Sequence, residues 1–147
     1  MPMSSALTHG DGQDVLAAWK RAWERRDPDA AVELFSPGAE LRNDPFEEPL
    51  VGANAIRAHW NAFAAGSLHA EFDAERIWVV NRTVLASWHA AMTDRGTAER
   101  KRLRGFLTLE LDDAAHIERA RLWTLTRIVG ADSTVRPDRA ASASEGR

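Results

Sequence analysis

From about Gly12 to Arg26, apolar residues recur at Val15, Ala18, Trp19, Ala22 and Trp23. That is helical spacing, one stripe facing inward, with Lys20, Arg21, Glu24 and Arg25 on the other face. A second helix is expected to open with Asp27 as cap and Pro28 in its first turn. Its buried side is Ala31, Val32, Leu34 and Phe35, and Ser36-Pro37-Gly38 stops it. Ala39 to Asn43 reads as a short strand. A third helix, Ala53 to Ala65, sets Ile56, Trp60 and Phe63 on one face with His59 beside them, and Gly66 ends it.

The period then changes from helical to two. Phe72, Ala74, Arg76, Trp78 and Val80 alternate with Glu71, Asp73, Glu75, Ile77 and Val79, which predicts a long strand. Asn81-Arg82 turns into a strand over Thr83 to Thr93, and Asp94-Arg95-Gly96 turns into another over Glu99 to Leu111. Asp112 to Ala115 makes the last turn before a strand over His116 to Arg127. Helices followed by a strand meander imply an α+β plan in one domain.

Between the first short strand and the third helix lies Asn43-Asp44-Pro45-Phe46-Glu47-Glu48-Pro49-Leu50-Val51-Gly52, a fixed loop by its prolines and lack of hydrophobic period. Pro45 keeps Asp44 extended. A stiff strand end of this kind places a carboxylate in a cavity, and it also makes an ordinary turn. The residues alone leave both readings open.

Composition narrows the chemistry. The 147 residues are 44% hydrophobic and 28% charged, as in a globular protein with a real core. A net charge of -3 gives no electrostatic case for nucleic acid or an anionic membrane. The absence of cysteine excludes disulfides, thiolate zinc sites and cysteine nucleophiles. No stretch approaches the roughly 20 apolar residues of a membrane span. The N-terminus lacks a signal peptide's apolar core, so the cytoplasm is the expected compartment. The basic runs Arg100-Lys101-Arg102-Arg104 and Arg119-Arg121 interleave with Glu99, Glu110 and Glu118, which reads as solvated strand faces. No histidine and acid spacing suits a metal, and no cofactor motif is present.

The order of elements and the loop together resemble the nuclear transport factor 2-like superfamily, a cone of three N-terminal helices on a curved antiparallel sheet. More narrowly, the chain resembles the SnoaL-like and bacterial ketosteroid isomerase branches. The similarity covers roughly Val15 to Arg127 and is most specific at Asp44-Pro45-Phe46 followed by Pro49, Gly52, Ile56 and Trp60. The domain is accordingly taken as residues 12–128, with 1–11 a flexible N-terminus and 129–147 a disordered tail.

The resemblance places Asp44 on the isomerase general base, which shifts a proton beside a carbonyl. It places Trp19 and Leu107 on the two donors that hold the enolate oxygen. Trp19 keeps one N–H, whereas Leu107 donates nothing, so steroid isomerisation itself is disfavoured. His59 is read as a partner acid or orienter of Asp44, or as a histidine hydrogen-bonded at the core edge. Trp23, Phe46, Trp60, Phe63, Trp88 and Leu107 are expected to line an apolar pocket, under which Asp44 would be desolvated and its pKa raised.

Two functions follow from the resemblance. One is proton transfer of isomerase or polyketide-cyclase type on a small hydrophobic molecule, with Asp44 as base and without metal or cofactor. The other is non-catalytic binding of such a molecule. Epoxide hydrolysis is disfavoured, since no paired Asp and Arg stand on facing strands. Trp78 and Trp123 are expected to face outward and anchor a homodimer.

Overall fold

The computed structural model describes residues 5–135. Residues 1–4 and 136–147, which hold the start of the predicted flexible N-terminus and most of the predicted tail, lie outside the described residues. Helix α1 spans His9–Arg25, α2 Pro28–Glu33 and α3 Ala53–Gly66. The strands are β1 Phe35–Arg42, β2 Leu50–Val51, β3 Ser67–Val80, β4 Thr83–Asp94, β5 Glu99–Leu111 and β6 Ile117–Ala131. They form one curved, unclosed sheet in the order β2-β1-β6-β5-β4-β3, with the helices on its inner face. The pairs are antiparallel except β1 with β6, because β1 arrives from the helical region and not through a hairpin.

Local chemistry moves several expected boundaries. α1 starts at His9, before the predicted Gly12, because Thr8 and Asp11 cap each other: Thr8 Oγ1 accepts from the Asp11 amide and Asp11 Oδ2 from the Thr8 amide. Phe35 belongs to β1 and not to α2. Its neighbour Leu34 ends the helix, and the Leu34 carbonyl accepts from the Ile117 amide at 2.7 Å. Ser36-Pro37-Gly38 then sits inside β1 as an irregularity between the Phe35–Ile117 and Glu40–Arg119 pairs, with Gly38 at φ 76°.

β6 continues past Arg127 because Arg127 to Ala131 still pair with β5. Asp132 secures that end. Hydrogen bonds from Thr134 and from the Thr93 hydroxyl hold its carboxyl down at about 2.

β3 carries the largest correction. Ala74 pairs with Trp88 but Arg76 with Ser87, so Glu75 is an extra residue. One inserted residue reverses the side-chain alternation. The inner face is therefore Phe72 and Ala74, then Ile77 and Val79, while Trp78 and Val80 turn outward, 42% and 58% exposed. α1 lies close on this strand through Gly12, where a Cβ would stand 2.9 Å from Val79 Cγ2. It also covers part of the β3 edge: Glu24 accepts from the Phe72 amide at 2.9 Å and Lys20 donates to the Phe72 carbonyl at 2.7 Å.

Candidate functional site

Three kinds of spacing build an aromatic cage on the inner side of the sheet. Trp19 and Trp23 are one helical turn apart on α1, and Trp60 and Phe63 likewise on α3, so each pair looks inward from its helix. On β4, Trp88 stands between Ala86 and Ala90, small residues that leave the indole room on the inner face. Trp19 meets Trp60 edge-on at 5.5 Å, Trp23 packs on Phe63 at 4.6 Å, and Phe72 stacks on Trp88 at 5.5 Å.

Beneath these rings lies a cavity of about 300 Å³, whose sheet side is Met92, Lys101, Leu103, Leu122, Thr124 and Thr126. A smaller chamber of about 110 Å³ adjoins it under Trp60 and Leu41 and shares Trp19, Trp23, Asn43, His59 and Phe63. β1 parts from β6 after the Arg42–Arg121 pair, and Asn43, which follows, lines both chambers.

The polar groups of the lining are few. Asn43 Nδ2 lies 3.0 Å from His59 Nε2 and 3.4 Å from Nδ1, and it donates to whichever ring nitrogen carries no proton. Lys101 Nζ is paired with Asp94 Oδ2 at 3.1 Å. Burial pulls the Asp94 carboxyl upward, but hydrogen bonds from Lys101 and from the amides of Thr97 and Gly96 outweigh it and leave it lowered. The Asp94 carboxyl therefore stays ionised. Among the described residues, the lining of both chambers contains no carboxylate and no arginine.

Loss of hydration pushes the His59 imidazole below its usual value, although the residue is exposed to solvent. The unfolded chain, with a pKa of about 6.5, then binds more protons than the folded one just below that pH. The stabilising contribution of neutral His59 is fully present above about pH 6.5 and is lost as pH falls through the folded pKa. An NMR titration of the ring should give a midpoint below the free-histidine value. A midpoint at or above that value would mean a solvated or acid-paired ring and would contradict this placement.

The structure brings Trp19, Trp23, His59 and Phe63 to both chambers, Trp60 to the smaller and Trp88 to the larger. It does not bring Asp44, Phe46 or Leu107 there. Asp44 is exposed, and its Oδ1 accepts from the Phe46 amide at 2.9 Å, a turn closed on itself. The tryptophans expected to desolvate it lie inside. Phe46 is 96% exposed. Asp44 and Phe46 instead edge an open hollow of about 680 Å³ with Arg104, Phe106, Trp123 and Leu125. Leu107 is fully buried in the core. A second open hollow, about 530 Å³ at Arg82, Glu110 and Asp112, is polar and lies at the far turns.

Asn43, Lys101, Thr124 and Thr126 are lining residues that sequence reasoning missed. For Lys101 the signal was present: it shares the period-two face of Leu103 and Leu107. Among the described residues, no group of three histidines and acids is placed to hold a metal ion.

Residues 16–119 match the model of the SnoaL-like domain. The fold is shared with the epoxide hydrolase/cyclase-like enzyme SalBIII of pyran ring formation in the polyether salinomycin. That structure is 16% identical and aligns with TM-score 0.73, covering 82% of this chain and 97% of that one. A putative SnoaL-like polyketide cyclase from Shewanella denitrificans aligns with TM-score 0.68 at 13% identity, over 78% of this chain and 90% of that one. An LEH-like epoxide hydrolase from M. tuberculosis aligns with TM-score 0.67 at 16% identity, over 80% and 84%. At these identities the likeness is one of fold. Among curated proteins, none matches the sequence.

Proposed function

This chain belongs to the SnoaL-like domain family, and on that premise we propose that it binds one small, largely apolar molecule in the cavity beneath Trp19, Trp23 and Trp88. The observation that carries this reading is the lining: indole, phenyl and aliphatic surface around about 300 Å³, with no carboxylate or arginine among the described residues. That volume is at the lower end of ordinary ligand pockets, about 300–1,000 Å³. Removing apolar ligand surface from water supplies the affinity.

A second reading is proton transfer of isomerase or cyclase type, with Asp44 as base and His59 as its partner. It draws support from the Asn43–His59 hydrogen bond, which ties the residue before Asp44 to the cavity, and from a fold shared with a putative polyketide cyclase. The exposed position of Asp44, outside the lining, favours binding over turnover. The epoxide hydrolase fold relatives do not change this, because the lining offers no carboxylate to activate water.

Steroids, flavonoids and polyketide-like aromatics, screened by tryptophan fluorescence, should yield a ligand, and failure of the whole panel would count against the cavity reading. Asp44→Asn should then keep affinity within a few fold and change stability by less than about 1 kcal/mol, since asparagine also accepts the Phe46 amide. A loss of turnover of roughly 100-fold at unchanged affinity would instead identify Asp44 as a general base.

We also propose that a second copy of the chain covers the outer sheet face. Trp78, Phe106 and Trp123 form a row there, with ring centroids 6.1 and 6.4 Å apart.

A further inference from the structure

We propose that the stretch of β6 from Trp123 to Ile128 is a docking edge, to which an extended segment of another protein, apolar with an acid at one end, adds as a strand. This goes beyond the cavity reading and does not depend on it. β1 pairs with β6 only as far as Arg42 and Arg121. From Trp123 onward β6 keeps β5 on one side and, among the described residues, has no strand on the other. The pairing with β5 runs from Phe106–Trp123 to Lys101–Ile128 without a register shift, so this edge is regular. Every second residue along it turns its amide and carbonyl away from β5, toward the gap that β1 leaves. The open hollow of about 680 Å³, lined by Asn43 to Phe46 and by Trp123, Thr124 and Leu125, gives a strand room where the gap begins.

Unpaired edges template other chains, and proteins guard them with short strands, bulges, prolines, charges or a covering helix. At β3, α1 closes the edge at Phe72 through Glu24 and Lys20, and β2 is only Leu50–Val51. β6 has no such guard. Trp123-Thr124-Leu125-Thr126-Arg127-Ile128 is exposed throughout, contains no proline or glycine, and consists of strand-forming types apart from Leu125 and Arg127. Charge selects the occupant. Arg127 and its cross-strand neighbour Arg102 are exposed, and neither has an ion-pair partner among the described residues. Two free guanidiniums at one end of the edge attract a carboxylate. A second copy of this stretch would bring cations and no carboxylate to meet them. The segment that fits therefore carries apolar side chains beside Trp123 and Leu125 and an acid beside Arg127, all on one face.

The test adds the capped peptide Glu-Thr-Val-Thr-Val-Thr-Glu, whose side-chain order reads alike from both ends, to the full chain. Hydrogen exchange followed by NMR reads the amides of residues 123–128. In the free protein they should alternate, slow where bonded to β5 and fast where they face the gap. The peptide should slow the fast set by about 10-fold when about nine-tenths of the protein is bound. Replacing both peptide acids by glutamine, or making Arg127→Gln, should weaken binding by up to about fivefold, the scale of one exposed ion pair. Two further peptides carry N-methyl groups on the valines or on the threonines. One should lose binding and the other keep it, since only alternate amides reach β6. Equal binding of the two would mean side-chain docking and would overturn strand addition. Exchange unchanged at millimolar peptide would overturn it as well. Edge amides already slow in the free protein would show the edge covered by the chain itself or by a second copy, which also ends the proposal.

Discussion

Gly105→Ala is expected to cost about 3 kcal/mol of stability, the upper end of ordinary overpacking. Gly105 faces inward on β5 between Leu103 and Leu107. A Cβ built there stands 2.1 Å from the Trp123 carbonyl oxygen and 2.7 Å from Trp88 Cζ2. Neither obstacle is a flexible side-chain end. The carbonyl belongs to β6, which pairs with β5 at this very residue through Thr124. Trp88 is held from the other side by its stack on Phe72 at 5.5 Å. Relief must come from opening the β5–β6 ladder or from pushing Trp88 into the cavity. In thermal unfolding followed by circular dichroism, the midpoint should fall by roughly 10 °C. Ligand affinity should fall as well, because the displaced indole takes up cavity volume. An unchanged midpoint would refute the close approach of Trp88 to the β5 backbone.

This glycine shows what kind of feature the sequence conceals. The amphipathic helices and the hairpin turns could be read directly, and Glu99–Leu111 falls on β5 as predicted. The Glu75 bulge could not. Both phases of the second half of β3 are apolar, Ile77 and Val79 against Trp78 and Val80, so either alternation fits the composition. The pairing of β3 with β4 decides it. Phe35 continues the apolar stripe of α2 in the sequence, yet pairing with Ile117 claims it for the sheet.

The same division runs through the site. The tryptophan cage could be read because helical spacing and strand alternation fix which way Trp19, Trp60 and Trp88 face. The side-chain direction of Asp44 could not, because it is set by an acceptor two residues along its own backbone, the Phe46 amide. Pro45 restricts Asp44 to extended geometry, and that geometry serves a turn as well as a pocket. Lys101 was hidden by its neighbours. Within Arg100-Lys101-Arg102 the charge run suggests solvent throughout, whereas strand alternation sends the middle residue inward to Asp94 and the cavity.

Trp123→Glu is expected to convert a dimer into a monomer, raising the dissociation constant by roughly 100-fold or more. Trp123 is 40% exposed, beside Leu125 at 79% and near the row that runs through Phe106 to Trp78 at 42%. Exposed tryptophans in a contiguous apolar patch carry a disproportionate share of binding energy, about 2 kcal/mol or more when truncated at an interface centre. Closed twofold symmetry doubles the penalty, since the same patch meets itself and two introduced carboxylates must be buried without partners. The fold should survive, because Trp123 points away from the core and its Phe106 contact is an outer-face one. Sedimentation at micromolar concentration should therefore show a wild-type dimer and a folded monomeric variant with an unchanged far-ultraviolet spectrum. A wild-type monomer would remove the interface, and Trp123 would then serve only to pack against Phe106. A variant that remains dimeric would move the contact to another surface, away from the hollow that Trp123 shares with Asp44 and Phe46.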